Sequence, residues 1–424
     1  MERRRFIAAS AATIGSGAML AGCIGIQDTE PTDNSDDESD ESSSTEPEEQ
    51  EPEPEPEGGD GEPFYHYDLD IHDERENGQP VWIDQNERMY GRNGLDVIVS
   101  DDWWETTDVL YSFDDREEGR VETVIVPDSG TIIVAVGGRD KTGGRVYRLT
   151  DDLNDHKELF QFEYGRVSNS MGHAVHDDVI VISCYGRSDY EADLHPDEVI
   201  LSTDGGESFE KVLDVSLNTT DAANHHVHDV EYDPYAERIW VAHGDHGNSQ
   251  LFWSDDHGES WEEIDEQGAI TMVTQVAAFE DCVVLGTDGT PEGIMRWERE
   301  SANDEPEQAS DFERVHVQIQ TDPDDDTMEM YARRRWHIRE DDGRELCIIP
   351  FGYSPMHDTA EDSVVLASVD GDEWYELHRT ETREILLTNI MGPLSMDGDL
   401  RTLVSDSNQG DGYQIDATVP TFWE

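Results

Sequence analysis

Ser254-Asp255-Asp256-His257-Gly258-Glu259-Ser260-Trp261 is a phrase that the chain states three times. Ser202–Phe209 reads Ser-Thr-Asp-Gly-Gly-Glu-Ser-Phe, and Ser368–Trp374, one residue shorter, reads Ser-Val-Asp-Gly-Asp-Glu-Trp. Each copy follows a run of β-forming residues (Glu198–Leu201, Gln250–Trp253, Ser363–Ala367) and leads into another. The chemistry suits a β-hairpin. Asp and Ser side chains bond nearby backbone, Gly supplies φ > 0, and the aromatic plugs the base. Recurrence at intervals implies a repeat architecture.

Working outward, the phrase sits in a longer unit: an apolar strand, a polar loop, a second strand, the hairpin, a third strand. The first of these strands is read at Arg88–Tyr90, Thr131–Val136, Val179–Cys184, Arg238–Ala242, Cys282–Leu285, Leu346–Ile349 and Leu400–Val404. Their partners are Leu95–Ser100, Arg145–Thr150, Glu198–Ser202, Gln250–Ser254, Gly293–Trp297, Ser363–Ser368 and Tyr413–Val419. Units recur roughly every 43 to 64 residues, the spacing of four-stranded propeller blades. No long helical periodicity interrupts them. Residues 63–424 therefore read as an all-β β-propeller of seven four-stranded blades. Six blades with one degenerate unit is the rival count. The last unit lacks a fourth strand, and Phe64–His72, alternating and otherwise unassigned, is expected to supply it and close the ring.

These residues resemble the Asp-box (BNR-repeat) propellers of the sialidase-like superfamily, whose pattern is Ser-x-Asp-x-Gly-x-x-Trp. Ser254, Asp256, Gly258 and Trp261 match it in full. Ser202, Asp204 and Gly206 match with Phe209 in the aromatic place, and Ser368, Asp370 and Trp374 match with one residue deleted. The resemblance implies that the box lies on the turn between a blade's third and fourth strands, opposite the active face, in a structural role. Sialidases of this superfamily also carry an Arg-Ile-Pro motif, an arginine triad and a Tyr–Glu pair. No Arg-Ile-Pro occurs in this chain, and Tyr185, Tyr353 and Glu361 cannot be paired from sequence.

Composition narrows the partners. Among 424 residues, 101 are Asp or Glu against 28 Lys or Arg, a net charge of −73. Such a chain repels nucleic acid and anionic membranes. Its self-repulsion is tolerable where ions screen it within a few ångströms, so the balance reads as adaptation to a very salty medium.

The N-terminus reads as an address. Arg3-Arg4-Arg5 opens an apolar, small-residue run ending at Leu20-Ala21-Gly22-Cys23. It is too short to span a bilayer and resembles a twin-arginine export signal (residues 1–23) with a lipobox, which implies lipid on Cys23. With the acidic balance, this resembles haloarchaeal-type exported lipoproteins. Residues 24–62 are nearly all Asp, Glu, Ser, Pro, Thr and Gly, and read as a disordered, self-repelling spacer. The expected placement is the extracellular face of the cell membrane, as a lipid-anchored monomer. Cys184, Cys282 and Cys347 have no disulfide or zinc spacing and read as buried small hydrophobes.

Chemistry is sought where innermost strands begin. Two stretches qualify: Asn224-His225-His226-Val227-His228-Asp229 and Arg333-Arg334-Arg335-Trp336-His337-Ile338-Arg339. Guanidinium groups hold carboxylates bidentately, so acidic glycans or an envelope glycoprotein are the expected partners. The bland counterpart is that these arginines pair with the chain's own acids. His226, His228, Arg333, Arg335 and Tyr185 are the catalytic candidates; Arg334, His173, His246 and Tyr353 are the substrate-binding ones. His226 and His228 share one strand face, and with Asp229 or Asp245 they make a candidate divalent-cation site. Otherwise one of the two histidines serves as a general base on a uronate, in a glycosidase or a polysaccharide lyase. His195 and His357 are further rim histidines. A binding or assembly module without catalysis is the alternative from a different class.

Overall fold

The computed structural model describes Phe6–Ile7 and residues 70–423, except 114–118, 138–142, 164–165, 168–171, 186–197, 216–225, 245–248, 265–271, 289–292, 318–329, 354–362, 381–386, 398–399 and 407–412. The described residues of this unit form seven antiparallel sheets and no α-helix, arranged as a β-propeller.

Blade 1 runs Gln79–Ile83, Met89–Asn93, Asp96–Ser100 and Asp108–Ser112 from the axis outward. Blade 2 runs Val121–Ile125, Ile133–Val136, Arg145–Leu149 and His156–Gln161. In blade 3 the innermost strand is split into Arg166–Val167 and His173–His176, followed by Val179–Tyr185, Glu198–Ser202 and Glu210–Asp214. Blade 4 is Val227–Asp233, Arg238–His243, Gln250–Ser254 and Ser260–Ile264. Blade 5 is Val273–Ala278, Cys282–Thr287, Gly293–Glu298 and Glu313–Val317. Blade 6 again splits its innermost strand, into Met330–Ala332 and Trp336–Arg339, before Glu345–Tyr353, Ser363–Ser368 and Tyr375–Thr380. Blade 7 has Leu387–Met391, Arg401–Asp406 and Tyr413–Thr418, and its outermost strand is Asp70–Glu76.

The ring thus closes with a strand from the start of the globular region, in the role expected of Phe64–His72 but beginning later. Seven blades, not six, result. The two-residue strand Phe6–Ile7 pairs along the outer edge of blade 4, a contact not foreseen for a segment read as an export signal. The other residues of 1–62, Cys23 included, lie outside the described residues.

Each blade buries both faces against its neighbours, so the strands are apolar on both sides rather than alternating. The core is correspondingly divided into seven clusters, one per interface. Val81, Val97 and Tyr90 of blade 1 meet Val121, Val124 and Val134 of blade 2, for example. Ile83, Ile98 and Met89 meet Met391 and Leu403 of blade 7 at the closing interface. A fully buried Val, Leu or Ile contributes about 1.5–3 kcal/mol, so every interface is a sizeable core of its own. Cys184, Cys282 and Cys347 form no disulfide and are buried in two of these clusters, the role expected of them. Burial pushes the Cys282 thiol up to about 12.

The repeated phrase lies on the turn between third and fourth strands. In blade 4, Gly258 N–H donates to Ser254 Oγ at 2.8 Å, and Asp256 accepts from Ser260 N–H at 2.8 Å and Ser260 Oγ at 2.6 Å. Trp261 reaches back to blade 3, its Nε1 donating to Val212 O at 2.9 Å. Ser202 and Asp204 repeat the scheme with Gly206 and Ser208, as do Ser368 and Asp370 with Gly371, Asp372 and Glu373. A fourth copy escaped the sequence reading. In blade 1, Trp104 N–H donates to Ser100 Oγ at 2.9 Å, and Asp102 accepts from Thr106 N–H at 2.9 Å. Trp104 stands in the glycine place at φ +68° and is fully buried in the closing cluster.

The innermost strands share one irregularity. Blades 1, 2, 4, 5 and 7 carry a register shift near the strand start, between Pro80 and Trp82, Val121 and Thr123, Val227 and Asp229, Val273 and Gln275, and Leu387 and Asn389. The strands of blades 3 and 6 are broken instead. A bulge re-aims the side chain that follows it. The consequence is a polar belt around the axis: Thr123, His173, Asp229, Gln275, Arg334, Arg335 and Asn389, with Trp82 among them.

Candidate functional site: the axial belt and the rim of blades 3 and 4

Arg333, Arg334 and Arg335 occupy the break in the innermost strand of blade 6, not its start. From there Arg335 crosses to blade 4. One guanidinium arm donates to Asp229 and the other to Glu231, while its backbone N–H donates to Gln275 Oε1 of blade 5 at 2.9 Å. Arg339 donates to Glu231 at 2.5 Å, to Ala278 O of blade 5 at 2.9 Å, and to Nδ1 of His337 at 3.1 Å. That last bond puts the His337 proton on Nε2, which donates to Glu345 at 3.0 Å. Three blades are thereby laced together along the axis.

The electrostatics follow from burial against pairing. Against the burial penalty, Arg335 and then Arg339 hold the Glu231 carboxyl below its ordinary range. For Asp229, burial outweighs Arg335 and pushes the carboxyl up to about 7. His337 is held well below its ordinary value by burial and by Arg339, so it stays neutral. Further ion pairs staple other interfaces: buried Arg299 of blade 5 grips Asp233 of blade 4, and Arg92 of blade 1 meets Glu122 of blade 2 at 2.7 Å. For Arg335, then, the chain's own acids are the partners, and the expected grip on a glycan carboxylate is not available to it.

Arg334 turns the other way. Its Nη1 donates to Val81 O of blade 1 at 2.9 Å and its Nη2 to His173 Nε2 of blade 3 at 3.1 Å. Two residues singled out for substrate binding, Arg334 and His173, are in direct contact. Arg333 is half-buried and donates its backbone N–H to Pro350 O at 2.7 Å.

On the rim, Tyr185 at the end of a blade 3 strand packs on the start of blade 4. Its ring centroid lies 4.5 Å from that of His226 and 6.4 Å from that of His228, and the two imidazoles are 4.4 Å apart. The two rings are in contact, but not across a regular strand face: His226 precedes the strand Val227–Asp233 and His228 lies in its register shift. His228 sits in the register shift and is 5 % exposed. His243, paired in register with Val227, flanks this corner. Asp245, His246, His195, His357 and Glu361, and the side chain of Tyr353, lie outside the described residues. Among the described residues no group of three or more His, Cys, Asp or Glu side chains is arranged to hold a metal ion.

Sequence reading missed Glu231 and Gln275. Asp229, Glu231 and Asp233 alternate with Val230 and Tyr232 along the strand Val227–Asp233, and that alternation of acids was the available signal.

The architecture defines a seven-bladed β-propeller. No family model matches the chain, and no curated protein matches it. Solved structures do. One from a mitotic checkpoint complex is 11% identical, with TM-score 0.52 over 87% of this chain and 96% of that one. Ycf48 from Cyanidioschyzon merolae is 13% identical, with TM-score 0.49 over 81% and 96%. A structure from a study of two prolyl endopeptidases is 10% identical, with TM-score 0.46 over 84% of this chain and 51% of that one. These likenesses concern the fold alone.

Proposed function

We propose that this chain is an exported, lipid-anchored propeller of the Asp-box kind that recognises an acidic glycan or envelope glycoprotein outside the cell without cleaving it. Its four Ser-x-Asp turns, the Arg3–Arg5 signal, Cys23 and the acidic spacer support the class and the placement. The observation that carries the absence of cleavage is the neutralised lattice: Arg335 and Arg339 are committed to Asp229 and Glu231 and serve cohesion between blades. Half-buried Tyr185 and His226 on the rim offer ring faces on which a sugar can stack. The test is a glycan panel in molar salt, with purified protein. Saturable binding that Tyr185→Ala weakens at least tenfold, without new reducing ends or unsaturated sugars, is the expected result. A polysaccharide lyase is the second reading, favoured by the packing of a phenol and two imidazoles in one corner. Unsaturated product that disappears with His228→Ala would establish it and overturn the first.

A further inference from the structure

We infer that Arg334 and His173 form an acid-operated latch across the axis, closed while the imidazole is neutral and opened when it takes up a proton, which frees the inner strand of blade 3 from blade 6. The inference is independent of what the rim recognises.

Arg334 stands in the break of the blade 6 inner strand and reaches three other blades. Its backbone bridges Asn389 of blade 7, its Nη1 donates to Val81 O in the register shift of blade 1 at 2.9 Å, and its Nη2 donates to His173 Nε2 of blade 3 at 3.1 Å. His173 opens the second piece of the split inner strand of blade 3 and is buried. A guanidinium can only donate, so Nε2 is the acceptor and the one proton of the neutral ring sits on Nδ1. A second proton has a single place to go, Nε2, the atom that faces Arg334. Binding it there removes the acceptor and sets two cations against each other at a buried site. Nδ1 is itself buried without a hydrogen-bond partner, so no carboxylate waits on that side to take up the charge.

The surroundings offer an imidazolium no counter-charge. Burial, then Arg334 and Arg335, hold His173 well below its ordinary value, and among the described residues no acid acts the other way. Blade 4 packs Val227–Asp233 against this piece, with His228, Asp229 and Glu231 on it, but both acids are bound to Arg335. The paired strand Val179–Tyr185 carries Cys184 and Tyr185 as its titratable groups, and blade 1 presents the Trp82 ring at 6.0 Å. His176, at the far end of the piece, stacks on Tyr232 and lies 3.7 Å from Asp177. His337 is the contrast. It too accepts from a guanidinium, that of Arg339, but its other nitrogen donates to Glu345 at 3.0 Å, so an added proton would find a carboxylate beside it. The remaining axial ties are ion pairs of Arg335 and Arg339 with Glu231, whose carboxyl is held below its ordinary range. They outlast the latch as pH falls.

In the open form the imidazole titrates near its ordinary value, about 6.5, so each pH unit below that favours opening roughly tenfold until the closed form itself takes a proton. The contribution of the latch is complete above that value and is lost as pH falls. The test is hydrogen exchange read by mass spectrometry on the full-length protein in molar potassium chloride, from pH 7.5 to 4.5, corrected for the intrinsic rate. Amides of His173–His176 and of its partner strand Val179–Tyr185 should open about tenfold more per pH unit below 6.5, while those of Cys282–Thr287 in blade 5 should not. His173→Gln keeps an acceptor for Arg334 and cannot titrate, so blade 3 protection should stay level across the range. Arg334→Met should lack that protection at every pH. Blades 3 and 5 opening in parallel in the wild type, or His173→Gln following the wild type at every pH, would overturn the latch. If a variant does not fold, the wild-type comparison of the two blades decides alone.

Discussion

Glu231 holds two guanidinium groups at once, and it is the firm anion of the axis. Its substitution by Gln leaves Arg335 and Arg339 facing each other with only Asp229 between them. Denaturant unfolding in molar salt should show a loss of about 3–5 kcal/mol, the usual cost of stranding buried charge. Asp229 titrates in the opposite sense from a normal salt-bridged acid. Its native pKa, about 7, lies above that of an unfolded Asp, so the native state binds more protons over the interval between them. Stability from this group is complete at low pH and lost as pH rises through 7. Midpoints measured from pH 4 to 8 should fall with that slope in wild type and flatten in Asp229→Asn. None of these pairings could be read from sequence, because Arg335 and Glu231 are 104 residues apart and Arg334 and Val81 are 253 apart. The sequence offered the arginine run and the alternating acids of Val227–Asp233; only the ring closure sets them face to face.

At the level of single elements, the Ser-x-Asp turn was legible for the opposite reason: its bonds all fall within a few residues. Gly258 shows what the turn demands. It sits at φ +84°, and a Cβ there would lie 2.6 Å from Val212 Cβ of the preceding blade. Gly258→Ala should therefore cost more than the 1–2 kcal/mol of left-handed backbone alone, about 2–4 kcal/mol with overpacking, by thermal unfolding. Blade 1 hid its copy because Trp104 takes the glycine position, trading backbone strain for burial in the closing cluster. Second and third strands were found in every blade because each carries buried apolar residues, in blades 3, 4 and 5 as nearly continuous runs. Innermost strands were harder, being bulged or broken where they meet the axis, and the arginine run was accordingly misjudged as a strand start.

For the molecule as a whole, two quantities govern stability: ring closure and charge. Removing Asp70–Glu76 strips blade 7 of its outermost strand and exposes the Tyr413–Thr418 edge. A chain beginning at residue 77 should unfold at lower temperature with reduced cooperativity and self-associate in sedimentation, as open edges do. A net charge of −73 repels itself at low ionic strength. Melting temperature should climb with potassium chloride up to molar levels and collapse on dialysis into dilute buffer. Composition made the second behaviour readable from the start, whereas the first needed the register of the two terminal strands.

That pairing also dictates when the protein can finish folding. Asp70–Glu76 is synthesised early, but its hydrogen-bond partner Tyr413–Thr418 emerges only after some 340 further residues have been made, on the order of half a minute at typical translation rates. Until then the last gap in the disc cannot close, and the large loop must be shut at an entropic cost before any contact rewards it. Closure of the ring thus waits on the Tyr413–Thr418 strand. If Arg3–Arg5 opens the twin-arginine signal proposed above, a translocase that moves finished proteins would let this closure come before export.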